Sequence, residues 1–113
     1  MLRLEIEDFA GTRLLDPRSI LTVFHAGWCP FCRGFLTLFE DTMKDMTDPV
    51  AAIVDISDTN GPLWETFEVD IVPTLVGFKN GEAVVRKDGV AGVGLDISEL
   101  QDAVQKMKGA SCT

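Results

Sequence analysis

An α/β domain with a mixed central β-sheet flanked by helices is the fold that these 113 residues predict. Three observations carry it. Residues 20–24 and 50–56 are short, largely apolar runs with β-branched residues, as in strands covered on both faces. Between them Phe35, Phe39, Met43 and Met46 recur at helical spacing, so one strand passes to the next through a helix. Asn80-Gly81 then separates residues 74–78 from 82–86, a turn signal that asks for an antiparallel hairpin and makes the sheet mixed.

The elements follow in order. Leu2, Leu4 and Ile6 alternate with Arg3, Glu5 and Glu7, the period of a half-buried strand. A turn at Asp16-Pro17-Arg18-Ser19 leads to the strand over 20–24, so residues 1–17 read as one strand and a turn. The first long helix starts near Pro30, where proline needs no N–H partner and already has a helical φ. Asn60-Gly61-Pro62 breaks the chain before a short helix over 63–68. Asp96 and Glu99 have capping-box spacing with Leu95 and Leu100 as a staple, and Leu100, Val104 and Met107 continue that helix's buried face. The order is β-β-α-β-α-β-β-α. With no repeat or linker, residues 1–113 make a single domain ending in a flexible tail over 109–113 that holds Cys112.

Composition narrows the function. With 46% hydrophobic residues one core forms without staples or metals. A net charge of −8 argues against nucleic acid and anionic membranes as partners. No apolar run approaches the ~20 residues that span a bilayer. The acidic start lacks the basic and apolar regions of a signal peptide, so the expected setting is cytoplasmic. Three cysteines are too few for a secreted disulfide scaffold.

Two of those cysteines carry chemistry. Cys29-Pro30-Phe31-Cys32 lies where an apolar strand gives way to a helix. The first helical turn has unpaired N–H groups and a partial positive charge. A thiolate held there is stabilised and becomes a better nucleophile and leaving group. Two intervening residues let the second sulfur close a small disulfide on the first. A zinc site would need four ligands, and only His25 and Cys112 remain as further candidates, so no metal is expected. Two buried structural cysteines are the other alternative. An exposed pair beside Trp28 fits redox chemistry better.

Trp28-Cys29-Pro30-Phe31-Cys32, Ile71-Val72-Pro73-Thr74 and Phe78-Lys79-Asn80-Gly81-Glu82 fall in one order with characteristic intervals. Through them the chain, over about residues 18–108, resembles the thioredoxin family. The resemblance implies a thioredoxin fold and thiol–disulfide exchange with protein disulfides, with a place in electron transport and cell redox homeostasis. Cys29 would be the nucleophile and Cys32 the resolving thiol. Pro73 would be the cis-proline beside the sulfurs, and Val72 would offer its backbone to an extended substrate. Trp28, Pro30, Phe31 and Thr74 would complete the docking surface. No cofactor beyond the redox-active Cys29–Cys32 pair is implied. The electron donor would be of the thioredoxin-reductase type, and nothing demands more than a monomer.

The chain also departs from the family pattern. Pro30-Phe31 stands where thioredoxins usually have Gly-Pro, and Pro-aromatic pairs are more typical of glutaredoxins. A buried aspartate that assists the resolving cysteine aligns with Val23, and its lysine partner with Val54 or Ala51. Burial among apolar groups raises a thiol's pKa, so resolution is expected to be slow. His25, on the same strand face as Val23, is a candidate for handling that proton; packing beneath the motif is its alternative role. The altered dipeptide and missing charges leave a disulfide isomerase or oxidant open, and a glutaredoxin-like enzyme. A thioredoxin-fold interaction module with little turnover is the non-enzymatic alternative.

Overall fold

In the computed structural model, which describes residues 1–110, the N-terminus makes more than one strand. Strand β1 is short (Leu2–Leu4), because Glu5 and Asp8 close a capping box around a 3-10 turn at Ile6–Asp8. Two-residue strands β2 (Phe9–Ala10) and β3 (Arg13–Leu14) then pair antiparallel as a separate hairpin. That hairpin was absent from the sequence-based expectation. Its purpose is visible in its side chains: Leu14 is buried, and the Phe9 ring meets those of Phe24, Phe67 and Phe78. The hairpin closes one face of the domain.

The remaining elements are β4 (Ile20–His25), α1 (Pro30–Met43), β5 (Val50–Asp55), α2 (Leu63–Thr66), β6 (Thr74–Lys79), β7 (Glu82–Lys87) and α3 (Ile97–Ala110). Five strands pair in the order β1-β5-β4-β6-β7, with β1, β5 and β4 parallel and β6 and β7 antiparallel. The mixed sheet expected from the sequence is therefore present. Asn80 and Gly81 both have positive φ, the geometry that an Asn-Gly hairpin turn requires.

Two apolar layers cover the sheet. Phe24, Val54, Ile56, Val76 and Phe78 face α2 and the N-terminal hairpin. Leu21, Val23 and Leu75 face Phe35, Phe39 and Met43 of α1 and Leu100, Val104 and Met107 of α3. Thr22, the polar residue buried inside β4, donates its hydroxyl to the Val76 carbonyl at 2.7 Å. At α3, Asp96 accepts the Glu99 N–H at 3.1 Å as expected. The Glu99 carboxylate completes an ion pair with Lys87 instead of the reciprocal half of a capping box. Gly109 and Ala110 end α3 and are not part of a tail; residues 111–113, with Cys112, lie outside the described residues. Among the described residues no helix is long and apolar enough to cross a membrane.

Candidate functional site

The end of β4 places the chemistry. Ala26 to Cys29 form a turn closed by the Cys29 N–H on the Ala26 carbonyl at 3.1 Å. Cys29 then stands at the N-cap of α1 and Pro30 at its first position, as the sequence predicts. Across from them the chain enters β6 through Ile71-Val72-Pro73-Thr74, with the Val72–Pro73 peptide in cis. Cys29 Sγ lies 3.4 Å from the Val72 carbonyl oxygen, so residues 43 positions apart meet at the sulfur. Thr74 braces this segment by donating its hydroxyl to the Ile71 carbonyl at 2.7 Å.

Both thiols are free and both are buried, Cys29 6% and Cys32 1% exposed. This corrects the expectation of an exposed pair. The Val72 carbonyl covers Cys29, and the first turn of α1 turns Cys32 inward among apolar side chains. Burial pushes the Cys32 thiol up to about 12, against a lowering contribution from the Ala26 main chain and with a further raising one from Cys29. A thiol so placed keeps its proton at neutral pH.

The position opposite Val23 in the β4–β5 ladder is Ile53, neither of the two positions that sequence alignment offered. Val23 is fully buried against α1 and α3, with Ile53 packed beside it. No charge sits at either place. His25 is on the same face but pairs across the ladder with Asp55. Its pKa is lowered by burial, with Asp55 opposing and Arg3 adding a smaller lowering.

Around the sulfurs lies an apolar surface. Trp28 and Phe31 are 56% and 43% exposed, and Val90 and Val93 are exposed on the loop after β7. Trp28 stacks on Trp64 with ring centroids 6.1 Å apart and planes at 7°. Trp64 of α2 therefore backs the exposed indole. Pro73 and Thr74 are buried, so what they present to the surface is backbone at the Val72–Pro73 corner. Arg33 is exposed on α1.

The sequence reading missed several contributors. Gly94, with φ +80°, lies so close to Phe31 that an added Cβ would come within 2.9 Å of the Phe31 Cβ. Gly89 packs as tightly against the Pro73 carbonyl. Glycines in a loop were the available signal. Arg86 of β7 donates to the Phe67 and Glu68 carbonyls and so anchors the chain leading from α2 to Val72. Among the described residues no three His, Cys, Asp or Glu side chains converge into a group that could hold a metal ion.

The family model for thioredoxin matches residues 3–107. The chain belongs to the thioredoxin family. Thioredoxin from Mycobacterium tuberculosis is 33% identical over 100 residues, covering 88% of this chain and 85% of that protein. A bifunctional thioredoxin reductase/thioredoxin from Mycobacterium leprae is 26% identical over 106 residues, 92% of this chain and 23% of its own length. Spinach chloroplast thioredoxin f shares the fold at a TM-score of 0.76 and 17% identity, covering 95% of this chain and 92% of that one. Thioredoxin-family proteins are thiol–disulfide oxidoreductases, and the Cys29–Cys32 spacing matches their reactive pair.

Proposed function

We propose that this chain reduces protein disulfides through Cys29 and Cys32. The observation that carries the reading is the asymmetry of the pair: Cys29 stands at the N-cap position of α1 beside the Val72 carbonyl, while Cys32 sits one turn deeper and holds its proton. Cys29, as thiolate, attacks one sulfur of a substrate disulfide, forming a mixed disulfide and expelling the other sulfur as a thiolate that takes a proton from water. Cys32 then gives up its proton to water and, as a thiolate, attacks the Cys29 sulfur. The second substrate sulfur leaves as a thiolate and is protonated from water; two electrons have passed from the Cys29–Cys32 pair, now a disulfide, to the substrate, now two thiols. Trp28, Pro30, Phe31 and the Val72–Pro73–Thr74 backbone receive the substrate segment, which pairs with Val72 as an added strand.

The pair needs no bound cofactor. Its electrons come from a thioredoxin-reductase-type donor, a partnership supported by the relative that carries both activities in one chain. The setting is a reducing, cytoplasmic one, and the protein works as a monomer.

One observation favours a second reading. Cys32 is 1% exposed in an apolar cluster and its thiol is pushed up to about 12, so it gives up its proton slowly and a mixed disulfide persists, as disulfide rearrangement requires. The Cys29–Cys32 reduction potential, measured by glutathione equilibration with Cys112 replaced by Ser, separates the two. A value near the about −270 mV of thioredoxin supports a reductase; one near about −180 mV supports an isomerase or oxidant. C32S trapping substrates as mixed disulfides on Cys29 is the companion result. Non-covalent binding that survives loss of both cysteines, with nothing trapped, would instead mark an interaction module.

A further inference from the structure

The turn that presents Cys29 is tied down from one place. Its two central residues are Gly27 and Trp28, and both bond to Ser57, two residues past the end of β5. The Gly27 N–H donates to the Ser57 hydroxyl at 2.7 Å, and Trp28 Nε1 donates to the Ser57 carbonyl at 2.9 Å. The serine is itself oriented. Its hydroxyl donates to Asp55 Oδ1 at 2.5 Å and its N–H to the same oxygen at 2.8 Å. A hydroxyl suits this position because it accepts from Gly27 while giving its own proton to the carboxylate. Alanine would leave the Gly27 N–H without its acceptor, and a carboxylate at residue 57 would face Asp55 with like charge.

We propose that Ser57, oriented by Asp55, is a positioning residue that holds the Gly27–Trp28 turn and thereby sets the attack geometry of Cys29. The proposal rests on Cys29 being the attacking thiol. The two bonds from Ser57 to Asp55 keep that carboxyl below the usual carboxylate range, so it remains an ionised acceptor through neutral pH. His25 faces Asp55 across the ladder, and Arg3 of β1 is the other charge acting on it. Removing the hydroxyl takes away the bond to Gly27 and the serine's hydroxyl bond to Asp55, so the turn keeps its closing bond from Cys29 to Ala26 and the Trp28 bond to a Ser57 carbonyl that is less firmly oriented. A small misplacement of a nucleophile is enough to slow its attack.

The test uses the full reduced chain and three variants, S57A, S57T and D55N. Amide hydrogen exchange reads the Gly27 N–H, and the Trp28 indole N–H resonance, assigned with W64F, reads the second bond. Iodoacetamide alkylation reads Cys29, and turnover of insulin disulfides with dithiothreitol as reductant reads catalysis. S57A is expected to speed Gly27 exchange roughly tenfold, shift the Trp28 resonance, and lower kcat/KM roughly tenfold, with β6 amides still protected. S57T restores both to within about twofold, and D55N gives a smaller change in the same direction. Wild-type Gly27 exchange and Trp28 resonance in S57A would overturn the proposal. So would a loosened turn with unchanged alkylation and turnover. Should S57A fail to fold, D55N, which keeps the hydroxyl, decides on the same readouts. Absence of insulin reduction in the wild-type protein would sink the functional reading, whereas exchange and alkylation would still judge Ser57.

Discussion

Cys29 and Cys32 stand three residues apart in opposite surroundings. On the Cys29 side the chain is held by directional bonds: Ser57 to Gly27 and Trp28, Cys29 to the Val72 and Ala26 carbonyls. On the Cys32 side it is held by packing, Cys32 lying in the buried apolar cluster that also holds Phe24, Val54, Ile56 and Val72. Hydrogen bonds fix where an atom points, and an apolar layer fixes only that water stays out. The site is thus prepared for attack by one sulfur and poor in help for the other.

The strongest way to break that contrast is to put a carboxyl at Val23, the position that aligns with the family's buried aspartate. V23D should destabilise the protein by about 3 kcal/mol, because it buries a polar group in a fully apolar layer. It should also speed the Cys32 attack on a mixed disulfide by about tenfold by supplying a proton acceptor. Urea unfolding checks the first, and stopped-flow release from a preformed mixed disulfide checks the second. An unchanged release rate would show that the apolar layer does not limit resolution.

Gly94→Ala tests the other border of the site. With φ +80° and Phe31 already in contact, it should cost about 1–2 kcal/mol in urea unfolding and displace the Phe31 ring. Turnover of insulin disulfides should fall several-fold while the reduction potential stays put, since the sulfurs are not touched. A large change in potential would mean that Phe31 bears on the pair itself.

pH sharpens the comparison further. Cys32 has a folded pKa raised to about 12 from 9.0, so above pH 9 the unfolded chain loses a proton that the folded chain keeps. The stability of the reduced protein should therefore be complete below pH 9 and decline as pH rises toward 12, and C32S should lose that decline. Urea midpoints at pH 8 and 10.5 make the measurement. The smallest effect is expected from His25. Its folded pKa lies below 6.5, so stability should be complete above that value and fall as pH drops through the folded pKa. H25F should flatten the acid side of the urea-midpoint profile without changing insulin turnover, and a large loss of turnover would put His25 on the proton path.

What the sequence by itself determined was local. The run at 20–24 is apolar enough to be a central strand, Pro30 opens α1, Asn80-Gly81 permits positive φ at both turn residues, and Asp96 caps α3. Each follows from neighbouring residues, as does the Cys29–Cys32 spacing at a helix start. The N-terminal hairpin escaped because its strands have two residues each and earn their stability from aromatic contacts with Phe67 and Phe78 far along the chain. Tertiary structure alone decided that both thiols are buried, that Ile53 faces Val23, that His25 answers to Asp55, and that Ser57 reaches Gly27 across 30 residues. Burial, register and long-range hydrogen bonds depend on which strands become neighbours, and no local pattern of residues encodes that choice.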